Sequence, residues 1–210
     1  VRGARVRGAT SSPGLTRFVG LTGGIGAGKS EALAAFERLG AATLSTDRVA
    51  HDLLDDEEVR AALVGRWGGA IAPDGAVDRD KVAEIVFNDR DELAWLESIT
   101  HPRVGAHVLE WRQALGPDVA VAVVEVPLLF EAAMEDAFDA TLAVVADDEL
   151  RDTRLRERGQ GGLAGREGRQ LDQAEKERRA DHVIRNDASL AELESEVEKV
   201  IDELTERGSG

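Results

Sequence analysis

The stretch VGLTGGIGAGKSEAL, Val19 to Leu33, sets Gly23, Gly24, Gly26 and Gly28, then Lys29 and Ser30, between two opposed patterns. Upstream, Arg17 to Thr22 is a short, β-like apolar run. Downstream, Ala32, Leu33, Ala35, Phe36 and Leu39 recur at helical spacing and stop at Gly40. The glycines therefore mark a strand-to-helix turn.

The spacing Gly23, four residues, Gly28, Lys29, Ser30 is that of a phosphate-binding loop. Glycines open backbone angles closed to other residues, so successive N–H groups can close around phosphate oxygens. The helix that follows adds the partial positive charge of its N-terminus. Gly23, Gly24, Ile25, Gly26, Ala27, Gly28, Lys29, Ser30 and Glu31 are thus expected to bind a nucleoside triphosphate. Lys29 reaches the β and γ phosphates, and the Ser30 hydroxyl is the expected ligand of Mg²⁺.

Other apolar runs, Ala41–Leu44, Val119–Val126, Thr141–Ala146 and His182–Ile184, lack polar alternation and are separated by helical stretches. Buried parallel strands read this way, and with Phe18–Thr22 they predict a five-stranded, doubly wound α/β sheet flanked by helices. Between the second and third runs, residues 48–116 read as a helical insertion broken by the turn Pro73-Asp74-Gly75. With 210 residues and 42% hydrophobic content the chain is expected to form one domain, residues 18–206. Residues 1–17, rich in arginine, are expected to be a disordered leader, and residues 207–210 a loose tail.

A formal charge of −15, from 41 acidic and 26 basic side chains, argues against a nucleic-acid partner. No apolar run approaches the roughly 20 residues that span a bilayer, so no membrane partner is expected. The absence of cysteine excludes disulfides and thiolate zinc sites and fits the cytoplasm. No obligate protein partner is evident.

Phosphoryl transfer needs a group to receive the acceptor's proton and positive charge around the γ-phosphoryl. Asp47, read as ending the second strand at the ligand-binding edge of the sheet, is the candidate base, or a cap for a helix beginning at Arg48; the two roles are compatible. The segment RLRERGQGGLAGREGRQ suggests an arginine-rich lid over residues 154–173, with Arg154 and Arg158 among its cations.

These residues resemble the dephospho-CoA kinase family. GLTGGIGAGKS is similar to its first strand and loop, STDRVAH (45–51) to its D-A-D-x-x-A-H stretch, and THPRV (100–104) to its H-P-x-V. VEVPLLFE (124–131) matches a segment that few other P-loop kinases share, and DQAEKERRADHVIRND (172–187) resembles a late segment through Gln173, Lys176, Ala180, Asp181, Val183, Ile184 and Asn186. The resemblance implies ATP-dependent phosphorylation of the ribose 3′-hydroxyl of dephospho-CoA, with ATP, dephospho-CoA and Mg²⁺ as ligands. It implies Asp47, Lys29 and Arg154 as catalytic residues, Thr22, Asp47 and His101 near the acceptor, Arg158 in the lid and Asn186 beside adenine. The helical insertion corresponds to the CoA-binding region. His101 reads either as a ligand contact or as a buried, hydrogen-bonded structural histidine. Glu125 and Glu131 read either as water-mediated metal holders or as partners of nearby backbone. The sequence departs from the family at Ser45, where an aspartate is usual, at Arg185, where an acid is common, and at Ala188, where glycine is usual. Rival readings are another P-loop small-molecule kinase, of nucleoside monophosphate or shikimate type, and a non-catalytic nucleotide switch. No N-K-x-D guanine signature is present, and a switch has no use for the lid.

Overall fold

The computed structural model describes residues 16–157, 159 and 170–206. Its five strands, β1 (Arg17–Gly23), β2 (Ala42–Ser45), β3 (Val121–Glu125), β4 (Ala140–Val145) and β5 (His182–Arg185), form one parallel sheet in the order β2-β3-β1-β4-β5. The chain leaves central β1 for β2 and β3 on one side, then crosses to β4 and β5 on the other. The turn after β1 therefore lies at a topological switch point, on the carboxyl edge where open α/β sheets bind ligands.

The predicted strands are all present, with boundaries shifted by a residue or two. The apolar run at Val119–Val126 is longer than β3 because its ends serve other bonds. Val119 N–H closes a turn onto the Gly116 carbonyl, and Val126 N–H donates to the Leu21 carbonyl at 2.8 Å. One expectation is corrected: Thr16 and Arg17 belong to the fold and not to a leader. The Thr16 hydroxyl donates to the Val119 carbonyl at 2.7 Å, and Arg17 N–H donates to Ala120 at 2.9 Å. Strand pairing satisfies backbone groups whatever the side chain, so a basic residue starts β1 at no cost to the ladder. The remaining leader (1–15), the tail (207–210) and positions 158 and 160–169 of the expected lid lie outside the described residues.

Helices α1 (Lys29–Arg38) and α8 (Leu190–Glu206) cover one face of the sheet. Ala32, Ala35, Phe36, Leu193, Val197 and Val200 meet Val19, Leu21, Val123, Val144 and Ile184 there in a continuous apolar core. On the other face Phe18, Ala122 and Val124 pack with Leu129, Phe130, Val108 and Trp111.

The insertion supplies α2 (Thr46–Asp52), α3 (Glu57–Trp67), α4 (Arg79–Asn88) and α5 (Arg90–Gln113), with a turn at Pro73–Gly75. It has a separate apolar cluster of Leu54, Val59, Leu63, Ile71, Val77 and Val82, edged by Trp67 and Trp95. With 24 residues, α5 is about 36 Å long at 1.5 Å per residue, enough to run from this cluster to the sheet. Ile99 packs at the insertion end of α5, and Val108 and Trp111 at the sheet end. Helices α6 (Asp148–Glu157) and α7 (Gln173–Arg179) flank the expected lid.

Candidate active site

Helix capping sets α1 apart. Ser45, Asp56, Asp78, Asp89 and Asp172 cap α2, α3, α4, α5 and α7 by accepting backbone N–H bonds. The residue before α1 is Gly28, which has no side chain, so no capping group takes up the Lys29 and Ser30 amides at the start of the helix. Gly28 has φ +90°, and a Cβ there would lie 2.0 Å from Asn186 Nδ2; no other residue fits.

The loop is braced from outside through its carbonyl oxygens. Arg151 Nε of α6 donates to Ile25 at 2.9 Å, and Asn186 Nδ2 donates to Ala27 at 2.9 Å. Asn186 is buried, and its own carbonyl accepts from Arg154 Nη2 at 2.9 Å. Arg154 Nη1 is buried without a hydrogen-bond partner among the described residues. Lys29 Nζ donates to the Gly23 and Gly24 carbonyls at 3.1 and 3.2 Å.

Burial pushes the Lys29 pKa down, and Lys176 and Arg151 push the same way against the carboxylates of Glu125 and Asp47. A desolvated cation of this kind gains most when a phosphate arrives. Glu125, at the end of β3 and 5% exposed, has its pKa raised chiefly by burial, opposed by a hydrogen bond from Ser45 and by Lys29. Ser30 and Glu31 are exposed in the first turn of α1, and Glu31 pairs with Arg38 at 3.3 Å along the helix.

Asp47 is exposed in the first turn of α2, just past the end of β2. It does not cap that helix. Ser45 does, because capping takes the residue just outside the first turn, and Ser45 Oγ accepts from Arg48 N–H at 3.5 Å. Thr22 is wholly buried: its hydroxyl donates to the Pro127 carbonyl at 3.0 Å and accepts from Lys176 Nζ at 3.4 Å. His101 is exposed on α5, which packs against α2, so the buried structural histidine is ruled out. Thr100, beside it, takes the buried place and donates to the Leu96 carbonyl. Arg158 lies outside the described residues.

Three groups about the site, Arg151, Gln173 and Lys176, had no assigned role in the sequence. Arg151 was visible only as a helical neighbour of Arg154, three residues apart. Gln173 clamps both backbone groups of Ala146, at 3.0 and 2.8 Å, beyond the end of β4. Lys176, fully buried, pairs with Glu131 at 3.0 Å and donates to the Pro127 carbonyl at 2.7 Å; burial lowers its pKa against the pull of Glu131. Glu131 Oε1 also accepts from Leu171 N–H at 2.8 Å. It therefore partners backbone, one of its two expected roles.

Among the described residues no group of three or more His, Cys, Asp or Glu is arranged to hold a metal ion. The exposed Ser30 hydroxyl at the start of α1 is an oxygen of the kind that Mg²⁺ takes beside phosphates and water. Among the described residues no helix is long and apolar enough to cross a membrane.

The family model for dephospho-CoA kinase matches residues 17–192. The chain is 42% identical over 195 residues to a dephospho-CoA kinase of Streptomyces avermitilis, covering 90% of this chain and 94% of that one. Its fold is similar to the crystal structure of TT1252 from Thermus thermophilus, with TM-score 0.75 and 32% identity over 90% of this chain and 98% of that one. A dephospho-CoA kinase from Campylobacter jejuni is similar at TM-score 0.65 and 28% identity, over 91% and 98% of the two chains. With a match that runs from the first residue of β1 into α8, the chain belongs to the dephospho-CoA kinase family.

Proposed function

We propose that the protein transfers the γ-phosphoryl group of ATP to the ribose 3′-hydroxyl of dephospho-CoA, giving CoA and ADP. The observation that carries this reading is the placement of Asp47. Its carboxylate is exposed at the carboxyl edge of the sheet and is electrostatically coupled to the Lys29 ammonium at the foot of the loop. A nucleotide held by the loop presents its terminal phosphate toward that ammonium, so an acceptor hydroxyl beside Asp47 is in reach of it.

In the reaction the 3′-oxygen forms a bond to the γ-phosphorus as the bond from that phosphorus to the β–γ bridging oxygen breaks. Asp47 takes the hydroxyl proton, and the electron pair of the broken bond leaves with ADP. The loop amides and Lys29 hold the β and γ phosphates. Arg154, whose Nη1 is buried and unpaired among the described residues, supplies charge to the transferring group. Ser30 would hold Mg²⁺, which neutralises phosphate charge when bound. Arg158 would join Arg154 from the lid, and the helical insertion, with His101 on its outer surface, would receive the acceptor. Asn186 acts on the nucleotide through the loop, since its amide is committed to the Ala27 carbonyl.

The test supplies Mg²⁺ and ATP with dephospho-CoA, shikimate or nucleoside monophosphates and follows ADP. Release that depends on dephospho-CoA is expected. Turnover only with another acceptor, or ADP release indifferent to every acceptor, overturns the reading.

A further inference from the structure

We infer that Arg151 is a positioning residue for the phosphate-binding loop, fixing the Ile25–Gly26 peptide so that the Gly26 amide faces the phosphates; this rests on the nucleotide site proposed above. A trans peptide is planar, and its C=O and N–H point in opposite directions. The described residues contain no cis bond, so whatever holds a loop carbonyl outward also aims the following amide inward. Gly26 and Gly28 both have positive φ, +78° and +90°, the alternation that lets successive amides converge on an anion. Such a conformation leaves the carbonyls of the residues before them, Ile25 and Ala27, in need of donors.

Helix α6 answers that need twice, from residues one turn apart. Arg151 acts directly, Nε to the Ile25 carbonyl. Arg154 acts through Asn186, which holds the Ala27 carbonyl and so the Gly28 amide. The Arg151 side chain is only 15% exposed, and Asp148 orients it through an ion pair with Nη1 at 2.8 Å. The crown of the loop rests on this residue. A Cβ at Gly24 would lie 3.1 Å from Arg151 Nη2, and one at Gly26 would lie 3.0 Å from the Arg151 carbonyl oxygen. Because α6 leads straight into the expected lid, the same contact ties the loop's shape to the base of the lid.

A positioning role differs from direct contact with the transferring phosphate in what it discriminates. Loop amides cradle the phosphates shared by ATP and ADP, whereas a γ-phosphate contact is felt by ATP alone. The experiment compares the full-length protein with Arg151→Met, which keeps the aliphatic stem and loses the donor, and with Arg151→Lys, which restores a donor. Asp148→Asn removes only the charge partner.

In Arg151→Met the affinities for ATP and ADP are expected to fall together, about tenfold, the order of one hydrogen bond from a charged group. In the ADP complex, hydrogen exchange at Gly26 and Gly28 rises by a comparable factor, while β1 and α8 are unchanged. Arg151→Lys recovers most of the loss, and Asp148→Asn stays within about twofold. If Arg151→Met does not fold, Arg151→Gln takes its place with the same expectations. Unchanged affinity for both nucleotides, or loss confined to ATP with loop exchange unaltered, overturns the assignment. A wild-type protein that binds neither nucleotide instead removes the site on which it rests.

Discussion

At the scale of single residues the site sets carboxylates and cations in unlike environments, and each has its own consequence. Asp47 is exposed and is the proposed general base, so Asp47→Asn should lower turnover by roughly 10²- to 10⁴-fold, the usual contribution of such a group. ATP affinity should stay within about twofold, because the proposed partner of Asp47 is the acceptor. Steady-state kinetics beside nucleotide binding checks this, and near-normal turnover removes Asp47 from that role. Glu125 is different: burial holds its pKa above the ordinary value, so the folded chain favours its protonated form. That contribution to stability is complete below the titration of an unfolded glutamate and is lost as pH rises through the folded value. Glu125→Gln stays neutral throughout. Without nucleotide or Mg²⁺ its melting temperature should match the wild type near about pH 4 and exceed it at neutral pH. A gap that shrinks with rising pH contradicts this. The loop residues were legible in sequence because glycine, lysine and serine at fixed intervals encode a local conformation. Arg151 and Lys176 were not, since their partners lie 126 and 45 residues away and only the fold brings them together.

At the scale of elements, α7 is tied down from within. Lys176 binds Glu131, the Pro127 carbonyl and Thr22, linking α7 to β1 and to the turn after β3. Removing one partner of a buried pair leaves the other charge uncompensated. Lys176→Met should therefore cost about 3–5 kcal/mol, and the double variant Lys176→Met/Glu131→Gln should regain much of it. Denaturant titration of the four proteins measures both, and a double variant as destabilised as the sum of the single ones, or more, denies the coupling. The same pair reaches Leu171 N–H, and Gln173 clamps Ala146 just past β4, so the C-terminal end of the expected lid is anchored beside the carboxyl edge of the sheet. Strands and helices were largely legible because buried parallel strands lack polar alternation and amphipathic helices repeat every three or four residues. Misread details fell at boundaries. Thr16 by its hydroxyl and Arg17 by its backbone N–H tie the start of β1 to the segment before β3, which composition does not announce, and Ser45, not Asp47, caps α2 because the cap sits one residue outside the first turn.

At the scale of the molecule, two apolar centres serve two tasks. The sheet and its helices carry the phosphate loop, and the insertion has its own cluster around Leu63, Ile71 and Val82. Fewer residues surround the smaller cluster, so amides of α3 and α4 should exchange at lower denaturant than those of β1, β3 and β4, with dephospho-CoA narrowing the difference. Native-state hydrogen exchange reads this directly, and a single common opening for all elements denies it. Net charge and the absence of cysteine constrained partners from the sequence, but the second cluster was hidden there, since spacing shows which residues are apolar and not which of them meet. Its independence has a consequence for how such proteins diversify. On the proposed reading, mutations in the insertion reshape acceptor choice while the phosphate cradle stays intact, so selectivity and chemistry can drift under separate constraints within one polypeptide.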